Sequence, residues 1–151
     1  MEPICIRPLG HGDLTDAAAL LTLLNPDTHA AVIGERLDTL LADHSHYELF
    51  GAFTSEKLVA VAGAWIATKI WCGRYLEIDN LVVDLNHRSA GIGSLLILHL
   101  ESIAKARDCK TVVLDSYTAN HSSHRLYYRL GFEIWGFHFV KPIGDWQGSS
   151  S

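Results

Sequence analysis

Arg88-Ser89-Ala90-Gly91-Ile92-Gly93 stands between the apolar run Leu81-Val82-Val83 and a long apolar helical pattern that begins near Ser94. A strand, a glycine turn and a helix start in that order are suited to holding phosphate. Gly91 and Gly93 carry no Cβ, so their backbone can take positive φ and let a ligand come close to its N–H groups. The first N–H groups of a helix have no intrahelical partner and lie at the positive end of the macrodipole, where a pyrophosphate is stabilised. Arg88 adds a permanent cation with a forked donor set. The R-x-x-G-x-G spacing is not the Walker loop, which ends in lysine and then serine or threonine. Nor is it the dinucleotide fingerprint, whose third glycine would fall at Leu96. A nucleoside triphosphate or NAD is therefore disfavoured. By themselves the two glycines are equally consistent with a tight turn.

Glu77 and Asp79 are a second chemical feature. They lie two apart on a strand pattern, so alternation points both to one face, opposite that of Ile78 and Asn80. Such acids can take a proton, hold a cationic ligand or simply be solvated. Nine histidines raise the question of a metal. His121 and His124 stand at i, i+3, but no cysteine or carboxylate set accompanies them at ligand spacing, and no metal site is expected. His138, between Phe137 and Phe139, reads as a structural histidine before an acceptor-facing one. Cys5, Cys72 and Cys109 are odd in number and scattered, which suggests reduced thiols in apolar surroundings; Cys109 reads as a small hydrophobe rather than a nucleophile.

The elements that must position these groups follow from periodicity. Ile4 to Leu9 alternates as a first strand, and Asp13 or Thr15 can cap a helix from Ala17 to Leu24 that Asn25-Pro26 stops. A second helix spans about Thr28 to Ala42, with Val32, Leu37, Leu40 and Leu41 as its apolar side. Tyr47–Phe53 and Leu58–Ile66 read as a hairpin turning at Thr54-Ser55-Glu56-Lys57, and a third strand covers about Tyr75 to Asp84. The long helix from about Gly93 to Arg107 leads to a short buried strand, Thr111–Asp115. A last helix from about Ser122 ends where Gly131 takes the C′ position, and Phe132–Val140 reads as a final strand.

Length and composition suit one globular domain. The chain has 151 residues, 48% apolar and 19% charged, with a formal net charge of -5. That balance offers no basic face for nucleic acid and only faintly favours cationic partners. No apolar run reaches membrane-span length and the first residues lack the pattern of a signal peptide, so no membrane partner and a cytoplasmic location are expected. Trp71, Trp135 and Trp146 could line a cleft or a homodimer contact. Residues 147–151 read as a flexible tail.

Leu81-Val82-Val83-Asp84, the loop Arg88 to Gly93, Asn120 followed seven residues later by Tyr127, and Leu130-Gly131-Phe132 together resemble the GNAT superfamily of acetyl-CoA dependent N-acetyltransferases. The resemblance covers nearly the whole chain. It implies a single domain over residues 1–146 with an α/β (α+β) fold: a mixed, mostly antiparallel central sheet flanked by helices, in the order β-α-α-β-β-β-α-β-α-β. It also implies that coenzyme A pyrophosphate lies on the backbone of Ser89, Ala90, Gly91, Ile92, Gly93 and Ser94, with Arg88 at the edge. The pantetheine arm then bonds main-chain groups of Leu81, Val82 and Val83 as an added strand. Ala90 departs from the lysine or arginine common there, which weakens phosphate or adenosine contacts without removing a backbone cradle. Asn120 matches a cofactor-contacting residue, although it can equally open the helix as an Asx turn. Ser123 stands where alanine is usual and can cap that helix.

Acetyl transfer needs a neutral amine, and deprotonating a lysine-like amine of pKa about 10.4 at neutral pH costs about 4.6 kcal/mol. Family likeness prefers Asp79 as the base, directly or through water, with Glu77 as the other candidate. It prefers Tyr127 over Tyr128 as the acid for the departing thiolate, since neighbouring helix positions are about 100° apart. A core role for the Tyr127 ring is the competing reading. The function implied is direct transfer from acetyl-CoA to a primary amine on a small molecule or a protein. The alternative is a non-catalytic acyl-CoA sensor or interaction module on the same fold.

Overall fold

The computed structural model describes residues 2–146, so the tail expected over 147–151 lies outside the described residues. The elements are β1 (Cys5–Pro8), α1 (Leu14–Leu21), α2 (Ala30–Asp43), β2 (Tyr47–Thr54), β3 (Lys57–Lys69), β4 (Gly73–Val83), α3 (Ile92–Ala106), β5 (Thr111–Leu114) and α4 (His121–Arg129). One five-stranded sheet runs in the order β1-β2-β3-β4-β5. Its pairs are antiparallel except for the parallel pair β4 and β5. A parallel pair needs a long crossover, and α3 supplies it. The β2–β3 hairpin closes through Ser55 and Glu56, both at positive φ (47° and 66°), as a two-residue turn matched to strand twist requires.

The chain divides into two compact units, Met1–Leu114 and Asp115–Ser151. In the first, strand alternation sends successive side chains to two helical layers. Tyr47 and Leu49 of β2, Val61 of β3 and Val82 of β4 join a buried cluster with Leu14, Ala17, Ala18 and Leu21 of α1 and Ile33 and Leu37 of α2. Phe50, one position on and therefore on the other face, meets the ring of His99 on α3. Helix α3 buries Ile92, Leu96, Ile97, Leu100 and Ala104, the spacing of one helical face. Leu96 is 0% exposed, so Leu96→Ala should cost about 2–5 kcal/mol of unfolding free energy by lost burial plus the cavity left behind, measurable by denaturant titration.

Several expectations are corrected. Val32 of α2 is exposed and Ile33 takes the buried position, a rotation of one residue about the helix. Cys5 is exposed rather than set among apolar groups, since β1 is an edge strand; all three cysteines are free thiols. Asp13 precedes α1 without capping it by its side chain, because its carboxylate is taken by both Arg7 guanidinium nitrogens and by the Gly10 N–H, each at 3.0 Å. The strand expected over Phe132–Val140 is not formed: that stretch carries no strand among the described residues. Alternating apolar and aromatic residues specify a strand only through the neighbours they pack against. Here Phe137, Phe139 and Val140 are exposed.

Candidate active site

The carboxylate pair sits where β3 and β4 fall out of step. Glu77 is opposite Trp65 and Asp79 opposite Gly63, which places both acids on one face, the one bearing Tyr47. Beyond Asp79 the register shifts, so that Val82 is opposite Val61: three steps on β4 answer two on β3. This is a bulge, and Asn80 absorbs it with φ 52°, a left-handed conformation that asparagine tolerates better than most side chains. The bulge corrects the expectation that Asn80 points away from Asp79, because the Asn80 amide interacts with both Asp79 and Tyr47.

Both oxygens of Asp79 are engaged. Tyr47 donates its hydroxyl to Oδ1 at 3.2 Å and Trp65 donates its indole N–H to Oδ2 at 2.9 Å. The Tyr47 and Trp65 rings pack against each other with centroids 4.7 Å apart, and His44 meets the edge of Trp65 at 5.4 Å. Burial raises the Asp79 carboxyl above its usual range, and the hydrogen bonds from Trp65, Tyr47 and Asn80 only partly oppose it. A carboxylate so held is a better proton acceptor than a solvated one. Tyr47 is pushed up as well, by burial first and the Asp79 charge second, so it stays a neutral hydroxyl at working pH.

Beyond this bulge β4 loses its neighbour. Tyr75 to Ile78 pair with Thr111 to Leu114, and past Ile78 no β5 residue accompanies β4 in the ladder. Val82 and Val83 continue along β3, with Leu81 in the bulge, and no β5 residue pairs with any of the three, an edge of the kind an extended ligand can add to. A 3₁₀ turn, Leu85–His87, follows. It is fastened by Asp84, whose N–H donates to the Val59 carbonyl at 2.8 Å and whose carboxylate pairs with the His87 ring at 2.9 Å. The His87 hydrogen bond is the main cause of an Asp84 carboxyl lowered below its ordinary value. Arg88 donates from Nε to the Val83 carbonyl at 3.3 Å, tying the loop back to the strand end.

The phosphate-type loop is shaped by Ser89 and Gly91, at φ 65° and 79°. Gly91 is the N-cap of α3, and a β-carbon placed on it would meet nothing within 4 Å, so its flank is open. Gly93 differs from the expectation: it lies inside α3 and takes no positive φ. The first helical bond is donated by Leu95 to the Gly91 carbonyl, which leaves the N–H groups of Ile92, Gly93 and Ser94 at the positive helix end. Ser89, Ala90 and Gly91 are exposed. An open strand edge leading into a left-handed glycine at a helix start fits a ligand with an extended arm and a pyrophosphate.

The second unit carries Asn120 and Tyr127. Asn120 is the N-cap of α4 without a side-chain capping bond, and its Oδ1 accepts from Ser122 at 3.4 Å. Ser123 lies within α4, one turn before Tyr127, and hydrogen-bonds to it instead of capping the helix. Helix α4 closes with Gly131 at φ 93°: the Phe132 N–H reaches the Tyr127 carbonyl at 3.0 Å and the Gly131 N–H the Tyr128 carbonyl at 3.1 Å. These are the paired bonds of a Schellman cap, and the accompanying contact is Tyr127 on Phe132, with ring centroids 6.0 Å apart. Leu130-Gly131-Phe132 thus fixes the tyrosine ring. Burial raises the Tyr127 phenol, with the Ser123 hydrogen bond opposing, so it is fully protonated near neutral pH. Tyr128, its neighbour, is exposed.

Residues 17–132 match the model of the acetyltransferase (GNAT) family. The chain belongs to that family. Over 110 residues it is 30% identical to the uncharacterized N-acetyltransferase YhdJ of Bacillus subtilis (strain 168), covering 72% of this chain and 77% of that protein. Among solved structures, a transcriptional regulator from Bacillus halodurans C-125 has a similar fold, with TM-score 0.85 and 20% identity over 93% of this chain and 100% of that one. So does an aminoglycoside N-acetyltransferase, AAC(6')-Iy, in complex with CoA, with TM-score 0.83 and 18% identity over 95% and 96% of the two chains. The GNAT chain has, among its described residues, no group of three histidine, cysteine or acidic side chains able to hold a metal ion. Among the described residues no helix is long and apolar enough to cross a membrane.

Three residues around Asp79 in this GNAT chain are not marked by its sequence motifs. Tyr47 and Trp65 look like ordinary core aromatics, and only the pairing of β2, β3 and β4 brings them to Asp79. Gly63 is the third. A β-carbon there would fall 2.1 Å from both Asp79 Oδ1 and the Tyr47 hydroxyl, closer than packed atoms can approach. An isolated glycine inside a strand pattern was the signal available, since it marks a bulge or a close approach.

Proposed function

We propose that the chain transfers an acetyl group from acetyl-CoA to a primary amine directly, both substrates being bound together. The observation that carries this reading is the β4 segment from Leu81 to Val83, beyond its pairing with β5, followed after one short 3₁₀ turn by the left-handed Gly91 and the N–H groups that open α3. That edge suits a pantetheine arm and the helix start a pyrophosphate. Ser89 to Ser94 hold the phosphates mainly by backbone, with Arg88 at the rim, and the match to the family motif adds Asn120 as a further cofactor-contacting residue.

Asp79 takes a proton from the incoming ammonium, directly or through water, with Glu77 beside it on the same face. The freed amine lone pair forms the new C–N bond at the thioester carbonyl, whose oxygen a backbone N–H of Leu81 to Val83 polarises. The C–S bond breaks, its electron pair leaves with sulfur, Tyr127 supplies that sulfur with a proton, and the second proton lost by the nitrogen as it becomes an amide returns through solvent to the Tyr127 phenolate. A phenol of ordinary pKa protonating a thiolate is uphill by about 1.5 units, or about 2 kcal/mol, and the raised phenol here adds to that. The cost is small beside expelling an unprotonated thiolate.

Isothermal calorimetry tests the donor assignment: acetyl-CoA and CoA should bind, while ATP and NAD compete poorly. Equal competition by ATP or NAD would overturn it. Gly91→Val should weaken acetyl-CoA binding, since a β-branched residue at φ 79° costs about 1–3 kcal/mol, which is about five- to 150-fold in affinity if expressed at the loop. The Michaelis constant for acetyl-CoA, set beside that of the amine, checks it.

A further inference from the structure

Among the described groups outside the phosphate loop and the acid on α4, the most constrained cluster is Tyr47, Trp65 and Gly63 about Asp79. We propose that Tyr47 is a positioning residue for the proton-accepting carboxylate of Asp79, acting with Trp65 to fix its two oxygens, and that glycine at position 63 is what permits the arrangement. The inference rests on the reading of Asp79 as base.

The geometry is specific. Tyr47 is 4% exposed and reaches Asp79 from β2 across β3, which is possible only because residue 63 between them has no side chain. Trp65 can only donate through its ring nitrogen, so Oδ2 must accept, and Oδ1 faces the Tyr47 hydroxyl. Two donors on two oxygens hold the carboxylate plane and favour its ionised form against the burial that opposes it. The titratable groups around it are few: Tyr47 from β2, Glu77 two residues back on β4, and His44 at the end of α2 through the Trp65 ring. Helix α1 meets the sheet with Leu14, Ala17, Ala18 and Leu21, none of which titrates. The Asn80 amide is a third neutral donor beside Asp79, but Tyr47 and Trp65 are the pair that engages its two oxygens separately.

Tyr47→Phe keeps the ring and removes the donor. The pH profile of kcat/KM for the amine should then show its acid limb moved to higher pH, with about a tenfold loss near neutral pH. The Michaelis constant for acetyl-CoA should change less than about twofold, being set at another element. Trp65→Phe should move the limb in the same direction, and it serves if Tyr47→Phe is poorly folded by circular dichroism. Gly63→Ala should disturb the same limb by forcing Tyr47 and Asp79 apart. An acid limb unmoved in folded Tyr47→Phe and Trp65→Phe would overturn the positioning role. A limb that persists in Asp79→Asn would instead overturn Asp79 as base, so the two failures are distinguishable.

Discussion

Asp79→Asn should lower kcat/KM for the amine by about 10²- to 10⁴-fold, the range spanned by positioned general bases, while leaving the protein at least as stable at neutral pH. Both halves come from one fact. Burial raises the Asp79 carboxyl in the folded state above its value of 3.8 in an open chain. The folded protein therefore holds that proton more tightly than the unfolded one. Its contribution to stability is greatest below the unfolded value and is lost as pH rises through the raised folded value, so above it the ionised group is a cost. Asparagine removes that cost and keeps an acceptor for the Trp65 N–H. Melting temperature against pH should show Asp79→Asn equal to or above the parent at pH 7, with the difference shrinking in acid where the parent carboxyl is also protonated. A variant that is inactive yet stable separates lost chemistry from lost folding.

The second large effect is expected at Tyr127. Tyr127→Phe should reduce kcat by about 10²- to 10⁴-fold with little change in acetyl-CoA affinity by calorimetry. Phenylalanine preserves the ring contact with Phe132 and the two backbone bonds that close α4, so the helix end survives. What disappears is the hydroxyl that would protonate the leaving sulfur. Thioesters with more acidic leaving thiols should restore part of the rate, because they depart without protonation. A Tyr127→Phe enzyme equally slow with every leaving group would show that the hydroxyl serves the structure.

Much of the fold was legible because its signals are local. The apolar face of α3, the Ser55-Glu56 turn and the Gly131 cap each lie within a few consecutive residues, and each was anticipated within a few residues of its place. The family motifs were legible for the same reason. What the sequence hid is what depends on pairing. Tyr47, Trp65 and Asp79 are separated by 18 and 14 residues and converge through register alone. The bulge that turns Asn80 toward Asp79 breaks the alternation from which its side was inferred. The failed strand over Phe132–Val140 has the same origin: composition favours an extended run, but a ladder requires a neighbour that composition cannot supply.

Transfer from acetyl-CoA to an amine is read out by amine-dependent thiol release. The protein, given acetyl-CoA and a panel of primary amines from small metabolites to peptide N-termini, should release free CoA with at least one acceptor, matched one for one by N-acetylated product in the mass spectrum. Tight acetyl-CoA binding with no thiol release for any amine would contradict the account and favour a sensor on the same fold.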